Sequence, residues 1–400
     1  MVKRSLGIWG IAAALVGVFA IAPAVATVNE KTPSEQTLRS LALRHGLYLG
    51  TAVDLSAAKK TDEPRYSQII ASQFSTITAE NVMKWDALEP ERGKYTWAAA
   101  DAFMSLAADN HQLVRGHVLV WHNQLPCWLT EGVATGTITR DELREILKKH
   151  ITTVVKRYRG RIWQWDVVNE AVSDSRDDAD GVIRYKQFWY QHLGEEYIAD
   201  AFRWARAADP KALLFYNDYN IEAFGDGSAK DKTQFVHTMV KNLRVKGVPI
   251  DGIGSQGHLS TRYGNYDAFQ IAETLDRFAS LGVATAITEA DVRSPITEGV
   301  KQGLSDDVNA MVHAQAANYS ALLRGCLGSR KCLSFTLWGF DDKHHWTTIT
   351  DLGRGRGAES MAGIYDAGYR PKQAFTAMKA DLAFSGAPYV QNRLPQKPMP

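Results

Sequence analysis

Neither sign of charge dominates this 400-residue chain, which carries 46 lysines and arginines against 44 aspartates and glutamates. Removing Lys3 and Arg4 with an N-terminal leader leaves 44 against 44. A balanced chain has no electrostatic reason to seek nucleic acid or an anionic membrane surface, so neither is expected as a partner. Cysteine is scarce, with three in all. Cys326 and Cys332 enclose a short Leu-Gly-Ser-Arg-Lys loop, and an exported protein can oxidise such a pair. Cys127, between Pro126 and Trp128 and without a histidine paired to it by sequence, reads as a buried free thiol and not as a nucleophile. No Gly-x-Gly-x-x-Gly turn stands after the first apolar strand to support nucleotide binding. No His-x-His pair opens the series of strands, and His117 and His122 lie an odd number of residues apart on one strand, so they should face opposite ways. A metal-dependent hydrolase is therefore set aside; no metal and no cofactor is expected. The interior has no Gly/Ser-rich or Pro-rich linker, which leaves residues 27–387 as one domain and residues 388–400, polar and rich in proline, as a fraying tail.

A long apolar run stands at the start, from Leu6 to Ile21, behind the basic Met1-Val-Lys-Arg and ahead of Pro23-Ala-Val-Ala26. That pattern reads as a cleavable signal peptide over residues 1–26, so the chain is expected to be exported, to a periplasm or out of the cell, without stable membrane association afterwards. Short apolar strands then alternate with helical stretches. Strands are expected at residues 47–53, 74–79, 113–120, 162–168, 212–216, 252–256, 283–288 and 332–337. Helices are expected at residues 35–45, at 140–158 with Thr139 as N-cap and Glu142 as its capping-box partner, and at 195–208, 230–245 and 268–281. Eight strand and helix units favour an α/β fold closed into a (β/α)8 TIM barrel over an open sheet.

The residues just past each strand are more informative than the strands, because such a barrel gathers its functional groups on one rim. The second strand leads into Glu80-Asn-Val-Met-Lys-Trp85, and the third carries His117, Trp121, His122 and Gln124. The fourth delivers Asn169-Glu170, the fifth Asn217-Asp-Tyr-Asn220, the sixth Gln256-Gly-His258 and the seventh Glu289-Ala-Asp291. The eighth runs into Trp338-Gly-Phe-Asp-Asp-Lys-His-His-Trp346. Carboxylates, amides and indoles on one rim suit sugars, whose hydroxyls need planar polar partners and whose C–H faces pack on aromatic rings. Glu170 and Glu289, each at a strand tip, suggest the carboxylate pair of a glycosidase. Trp163 and Trp165 lie within a strand and read as core or barrel filling, whereas Trp121, Trp338 and Trp346 occupy rim positions.

Taken together, and in this order, several motifs make the chain resemble glycoside hydrolase family 10, the retaining endo-β-1,4-xylanases. They are Glu80-Asn-Val-Met-Lys-Trp85, Arg115-Gly-His-Val-Leu-Val-Trp-His122, Trp165-Asp-Val-Val-Asn-Glu170, Gly254-Ser-Gln-Gly-His258 and Ile287-Thr-Glu-Ala-Asp291. Leu337-Trp-Gly339, Gly363-Ile-Tyr-Asp366 and Tyr369-Arg-Pro-Lys372 complete the set. The resemblance implies Glu170 as acid/base and Glu289 as nucleophile, with Asn169 on the sugar's 2-hydroxyl, His258 orienting the nucleophile and Asp291 behind it. It further implies that Glu80, Asn81, Lys84, His117, Trp121, Gln124 and Gln256 line the glycone subsites, that Trp338 and Trp346 pack on the sugar, and that Cys326 and Cys332 form a disulfide. The partner so implied is xylan or a xylo-oligosaccharide, and the chain is expected to act as a monomer. Two departures stand out: Ala290 where the family has leucine beside the nucleophile, and Asp341 and His345 where it has threonine and serine before Trp346.

That chemistry needs Glu170 to begin protonated beside an ionised Glu289 and to serve as base once Glu289 is consumed. His345, with Asp341 and Asp342 nearby in sequence, is expected to hold its proton to higher pH than a free imidazole and to place a titrating charge beside Trp346. Two rival readings are the same apparatus acting on another β-1,4-glycan and a sugar-binding barrel without activity.

Overall fold

The structure, a computed structural model, describes residues 36–384 apart from residues 175–181, 186–187, 229, 297–299, 301 and 348–358. The expected signal peptide and tail lie outside the described residues. Ten strands run in chain order: β1 (Tyr48–Val53), β2 (Thr76–Ala79), β3 (Leu113–Gly116), β4 (Gln164–Asn169), β5 (Leu213–Asp218), β6 (Gly252–Ser255), β7 (His258–Ser260), β8 (Ala284–Pro295), β9 (Cys332–Leu337) and β10 (Glu359–Ser360). Eight of them, β1 to β6, β8 and β9, pair in parallel with their neighbours, and β9 pairs with both β8 and β1, which closes the barrel. The chain is a (β/α)8 TIM barrel. Strands β2, β4 and β9 are buried along their whole length, the environment that crossover helices impose on a parallel sheet. β7 and β10 were not foreseen; three and two residues long, they are too short to show a period and simply flank the extended end of β8.

Local chemistry sets the helix limits. Thr37 caps the helix Leu38–Arg44 and Thr139 the helix Arg140–Arg157, each through a side chain that accepts a backbone N–H of the first turn. Asp231 accepts the Gln234 N–H at 3.0 Å, so the next helix starts at Lys232 and not at residue 230. The helix Ala268–Ala279 ends sooner than expected, with Gly282 in the left-handed region at φ 81°. A further helix, Ser305–Gly328, packs under β8 and β9. His45 Nε2 lies 2.8 Å from the Leu382 carbonyl, tying the helix Leu38–Arg44 to the helix Gln373–Ala383.

Inside the barrel the packing is partly polar. Arg115 on β3 is fully enclosed, donating through Nε to Asp166 Oδ2 at 3.0 Å and through Nη1 to Gln164 Oε1 at 2.6 Å. Trp165, between those two residues on β4, points to the opposite face and is completely buried in the core as expected, and Trp163 is half-buried against Tyr48. Gly116 is required there, since a Cβ would lie 2.2 Å from the Trp165 ring. Cys326 and Cys332 are joined by a disulfide with a Cα–Cα distance of 5.4 Å. Cys127 corrects the sequence reading: it is the first residue of a short rim helix and its side chain is exposed, because Trp128 and Leu129 take the inward positions.

Candidate active site

The C-terminal ends of the strands open into a cavity of about 790 Å³. Glu80, Asn81, Lys84, His117, Trp121, Gln124, Asn169, Glu170, Gln256, His258, Glu289, Trp338 and Trp346 all line it. Asp291 stands just behind, fully buried, with His258 Nδ1 at 2.8 Å and the Trp346 indole N–H donating to its Oδ2 at 2.8 Å. Every residue singled out for the site is therefore gathered at one place.

Glu289 is almost wholly buried and held from two sides. Asn217 Nδ2 donates to its Oε1 at 2.7 Å, and His258 Nε2 lies 3.1 Å from its Oε2. Burial opposes charge on His258, yet Asp291 and Glu289 on its two nitrogens outweigh that and push it up to about 10. It is thus an imidazolium that donates from both nitrogens, a bridge between two carboxylates. Asn217 is oriented in turn, because the Thr288 hydroxyl donates to its Oδ1 at 2.7 Å and leaves the amide N–H groups for Glu289 and for Asn169 Oδ1 at 2.8 Å.

Glu170 has a different set of donors. Asn169 Nδ2 and Gln256 Nε2 donate to its Oε1 at 3.0 and 2.9 Å, and the Trp121 indole donates to its Oε2 at 2.8 Å. Its backbone is left-handed, at φ 55°, a conformation that costs a non-glycine residue about 1 kcal/mol or more and turns the chain out of β4 at its tip. On another wall Asn81 Oδ1 accepts from Lys84 Nζ at 3.1 Å and from Gln124 Nε2 at 3.4 Å. Burial lowers the Lys84 ammonium while Glu289, Glu80, Asp86 and Glu170 work to keep it charged. His117 is fixed by Asp166 at 3.0 Å and meets the Trp338 ring edge-on at 4.9 Å.

Two expectations fail here. His117 and His122 were to face opposite ways, but the β3 ladder ends at Gly116, strand alternation no longer applies, and both line the cavity. His345 was to be a raised, titrating imidazole; it is buried, and desolvation pulls it down to about 4 against the pull of Asp291 and Asp341. The near carboxylate is taken, since Asp341 Oδ1 accepts the backbone N–H groups of Lys343 and His344 and stands 3.1 Å from the His344 ring. His345 instead pairs with the Thr347 hydroxyl at 3.0 Å. The sequence placed Asn217-Asp-Tyr-Asn220 on the rim without giving them a role, and it passed over Arg293; Asn217, near the end of β5, holds Glu289, and Tyr219, Asn220 and Arg293 line the cavity as well.

The model for Glycosyl hydrolase family 10 matches residues 37–381. Endo-1,4-beta-xylanase B of Thermotoga neapolitana is 40% identical over 342 residues, covering 86% of this chain and 90% of that protein. Endo-1,4-beta-xylanase of Geobacillus stearothermophilus is 38% identical over 308 residues, covering 77% and 88%. Among solved structures, xylanase 10B from Thermotoga petrophila RKU-1 in complex with xylobiose superposes with a TM-score of 0.76 at 38% identity, over 88% of this chain and 99% of that one. Native xylanase 10B from Thermotoga maritima gives a TM-score of 0.75 at 38% identity, over 87% and 98%.

Proposed function

Since this chain belongs to glycosyl hydrolase family 10, we propose that it acts as an endo-1,4-β-xylanase by a retaining double displacement, with Glu289 as nucleophile and Glu170 as acid/base. The observation that carries this reading is one cavity holding two glutamates, each with its own donor set. In the first step a Glu289 oxygen attacks the anomeric carbon, the glycosidic bond breaks, and the Glu170 proton goes to the leaving oxygen. Asn217 and the His258 imidazolium aim the attacking carboxylate. As Glu170 gives up its proton, the N–H groups of Trp121, Asn169 and Gln256 meet the charge that develops on it. In the second step Glu170 takes a proton from water, the water oxygen bonds to the anomeric carbon, and Glu289 leaves with the configuration restored.

Lys84, Asn81, Gln124 and Glu80 supply polar partners for the glycone sugars, and Trp338 and Trp346 supply flat surfaces. Asn169 is assigned to the 2-hydroxyl. Trp346 and Gln124 crowd the space that a glucose hydroxymethyl would need, a misfit worth about 1–3 kcal/mol, so xylose is preferred without glucose being absolutely excluded. The Cys326–Cys332 disulfide supports a further proposal, that the chain works in an oxidising compartment after export.

Glu289→Ala should abolish release of reducing ends from xylan. With Glu170→Ala, substrates carrying good leaving groups should still form the glycosyl-enzyme, which then accumulates for want of a base. The anomer of the first product, read by NMR, decides the stereochemistry: retention is expected, with the carboxyl groups about 5–5.5 Å apart, and an inverted product would rule the mechanism out. Equal cleavage of cello- and xylo-oligosaccharides would overturn the preference for xylose alone.

A further inference from the structure

Arg293 carries a charge that the proposed chemistry does not use. It lies on β8, in alternation with Glu289 and Asp291, so the three share one face of the strand, and it lines the cavity. Tyr219 and Asn220, just past β5, line the same cavity. Its Nε is buried without a hydrogen-bond partner, and among the described residues no carboxylate lies within ion-pairing distance of the guanidinium.

The nearby acids make their hydrogen bonds elsewhere. Asp291, two residues back on the same face, takes the His258 imidazolium and the Trp346 indole on Oδ2, while its buried Oδ1 meets no donor and forms no ion pair with Arg293. Glu222 accepts the Ser255 hydroxyl at 3.0 Å and the Gly257 N–H at 2.8 Å. Lys84, an ammonium of the same cavity, is surrounded by the fields of four carboxylates, whereas the field of Arg293 reaches Asp291 and the phenol of Tyr266. A guanidinium with an unsatisfied, desolvated donor is a poor structural element, since buried N–H groups are normally paired, and it presents a fork that fits a carboxylate.

We propose that Arg293 binds the carboxylate of a uronic acid substituent on the xylan main chain, making acid-decorated xylan the favoured form of the substrate. The inference rests on the hydrolytic reading and adds to it which decoration the cleft selects. A neutral pentose branch offers only hydroxyls, which would leave the guanidinium charge uncompensated; a uronate offers two oxygens on one plane. The attraction is ionic and partly exposed, so it weakens as salt rises.

The test compares kcat/KM for linear xylohexaose with kcat/KM for xylo-oligosaccharides bearing a single glucuronate, for the wild-type chain, Arg293→Gln and Arg293→Lys. The acidic-to-neutral ratio should fall about tenfold in Arg293→Gln and recover in part in Arg293→Lys, which keeps the charge and loses the fork. Reducing the glucuronate carboxyl to an alcohol should lower the wild-type ratio to that of Arg293→Gln. A ratio unchanged by Arg293→Gln, or by carboxyl reduction, overturns the proposal. Calorimetric binding of the same two sugars to the Glu289→Gln chain, with and without Arg293→Gln, separates the two readings. Uronate-dependent binding through Arg293 with no turnover by the wild-type chain would end the hydrolytic reading and leave this one standing.

Discussion

Burial and the neighbouring Asp54 push the Glu80 carboxyl up to about 7, while Lys84 and the Asn81 amide pull against them. Below that pH Glu80 can donate a hydrogen bond to a sugar hydroxyl; above it, it can only accept. For an acid raised in the folded state, the associated stability is present below its ordinary value and is lost as the pH rises through about 7. KM for xylobiose and xylotriose should therefore change across neutrality, and Glu80→Gln should flatten the curve; superimposable KM-against-pH curves would remove Glu80 from the glycone wall. The sequence pointed to His345 for this role, because its neighbours in the chain are acidic. Spacing along a loop says nothing about which ring is buried, and the desolvated His345 stays neutral through the range where Glu80 titrates. His258 gives the stability an alkaline dependence. Raised above the ordinary histidine value, its charge stabilises the folded state fully below about 6.5 and is lost as the pH rises through about 10. Asp291→Asn removes one of the two carboxylates that hold the proton, so the pH at which the unfolding midpoint falls on the alkaline side should move down by about 1–3 pH units. An unmoved alkaline fall would show that Asp291 does not hold the imidazolium.

At the scale of elements, β5, β6 and β8 meet around Asn217. A Cβ on Gly254 would lie 2.3 Å from Asn217 Oδ1 and 2.7 Å from the Thr288 methyl, so Gly254→Ala must displace the amide that holds Glu289. Overpacking of this kind costs about 1–3 kcal/mol, and kcat should fall further than unfolding midpoints alone would suggest. Asn217→Ala, which crowds nothing, should lower kcat likewise while leaving KM for long substrates nearly unchanged; normal kcat in both variants would mean that His258 alone orients the nucleophile. How legible this was varies by element. Strands such as β4 and β9 were readable because an apolar run buried on both faces ends abruptly in polar residues. β3 was readable in part: its ladder stops at Gly116, and pairing with β4 resumes past it only as a bridge between Val120 and Val168, with Val118, Leu119 and Val120 buried. Asn217 was placed on the rim but given no role for another reason, since its importance lies in contacts with residues 48 and 72 positions away. No local pattern encodes those.

For the molecule as a whole, the order of polar residues at strand tips was enough to suggest a closed barrel with one functional rim, because in that architecture chain order and position around the rim are the same thing. Exposure of single side chains, Cys127 being the example, depends on how a rim helix rolls and was not available from the sequence. The bond between His45 and Leu382 has one more consequence. The helices at the two ends of the barrel are neighbours, so the fold is in effect a ring, and the place where the polypeptide happens to be cut is a matter of convenience. Gly247, left-handed at φ 71° with open space around it, sits in an exposed turn that leads into β6 from the face away from the cavity. A rearranged gene that joins Phe384 to Gln36 through a short flexible linker and begins at Gly247 should yield a folded enzyme that still cleaves xylan. Its far-ultraviolet dichroism and its product pattern should match those of the original chain, and a soluble but inactive product would show that the seam between first and last helices does more than close a circle.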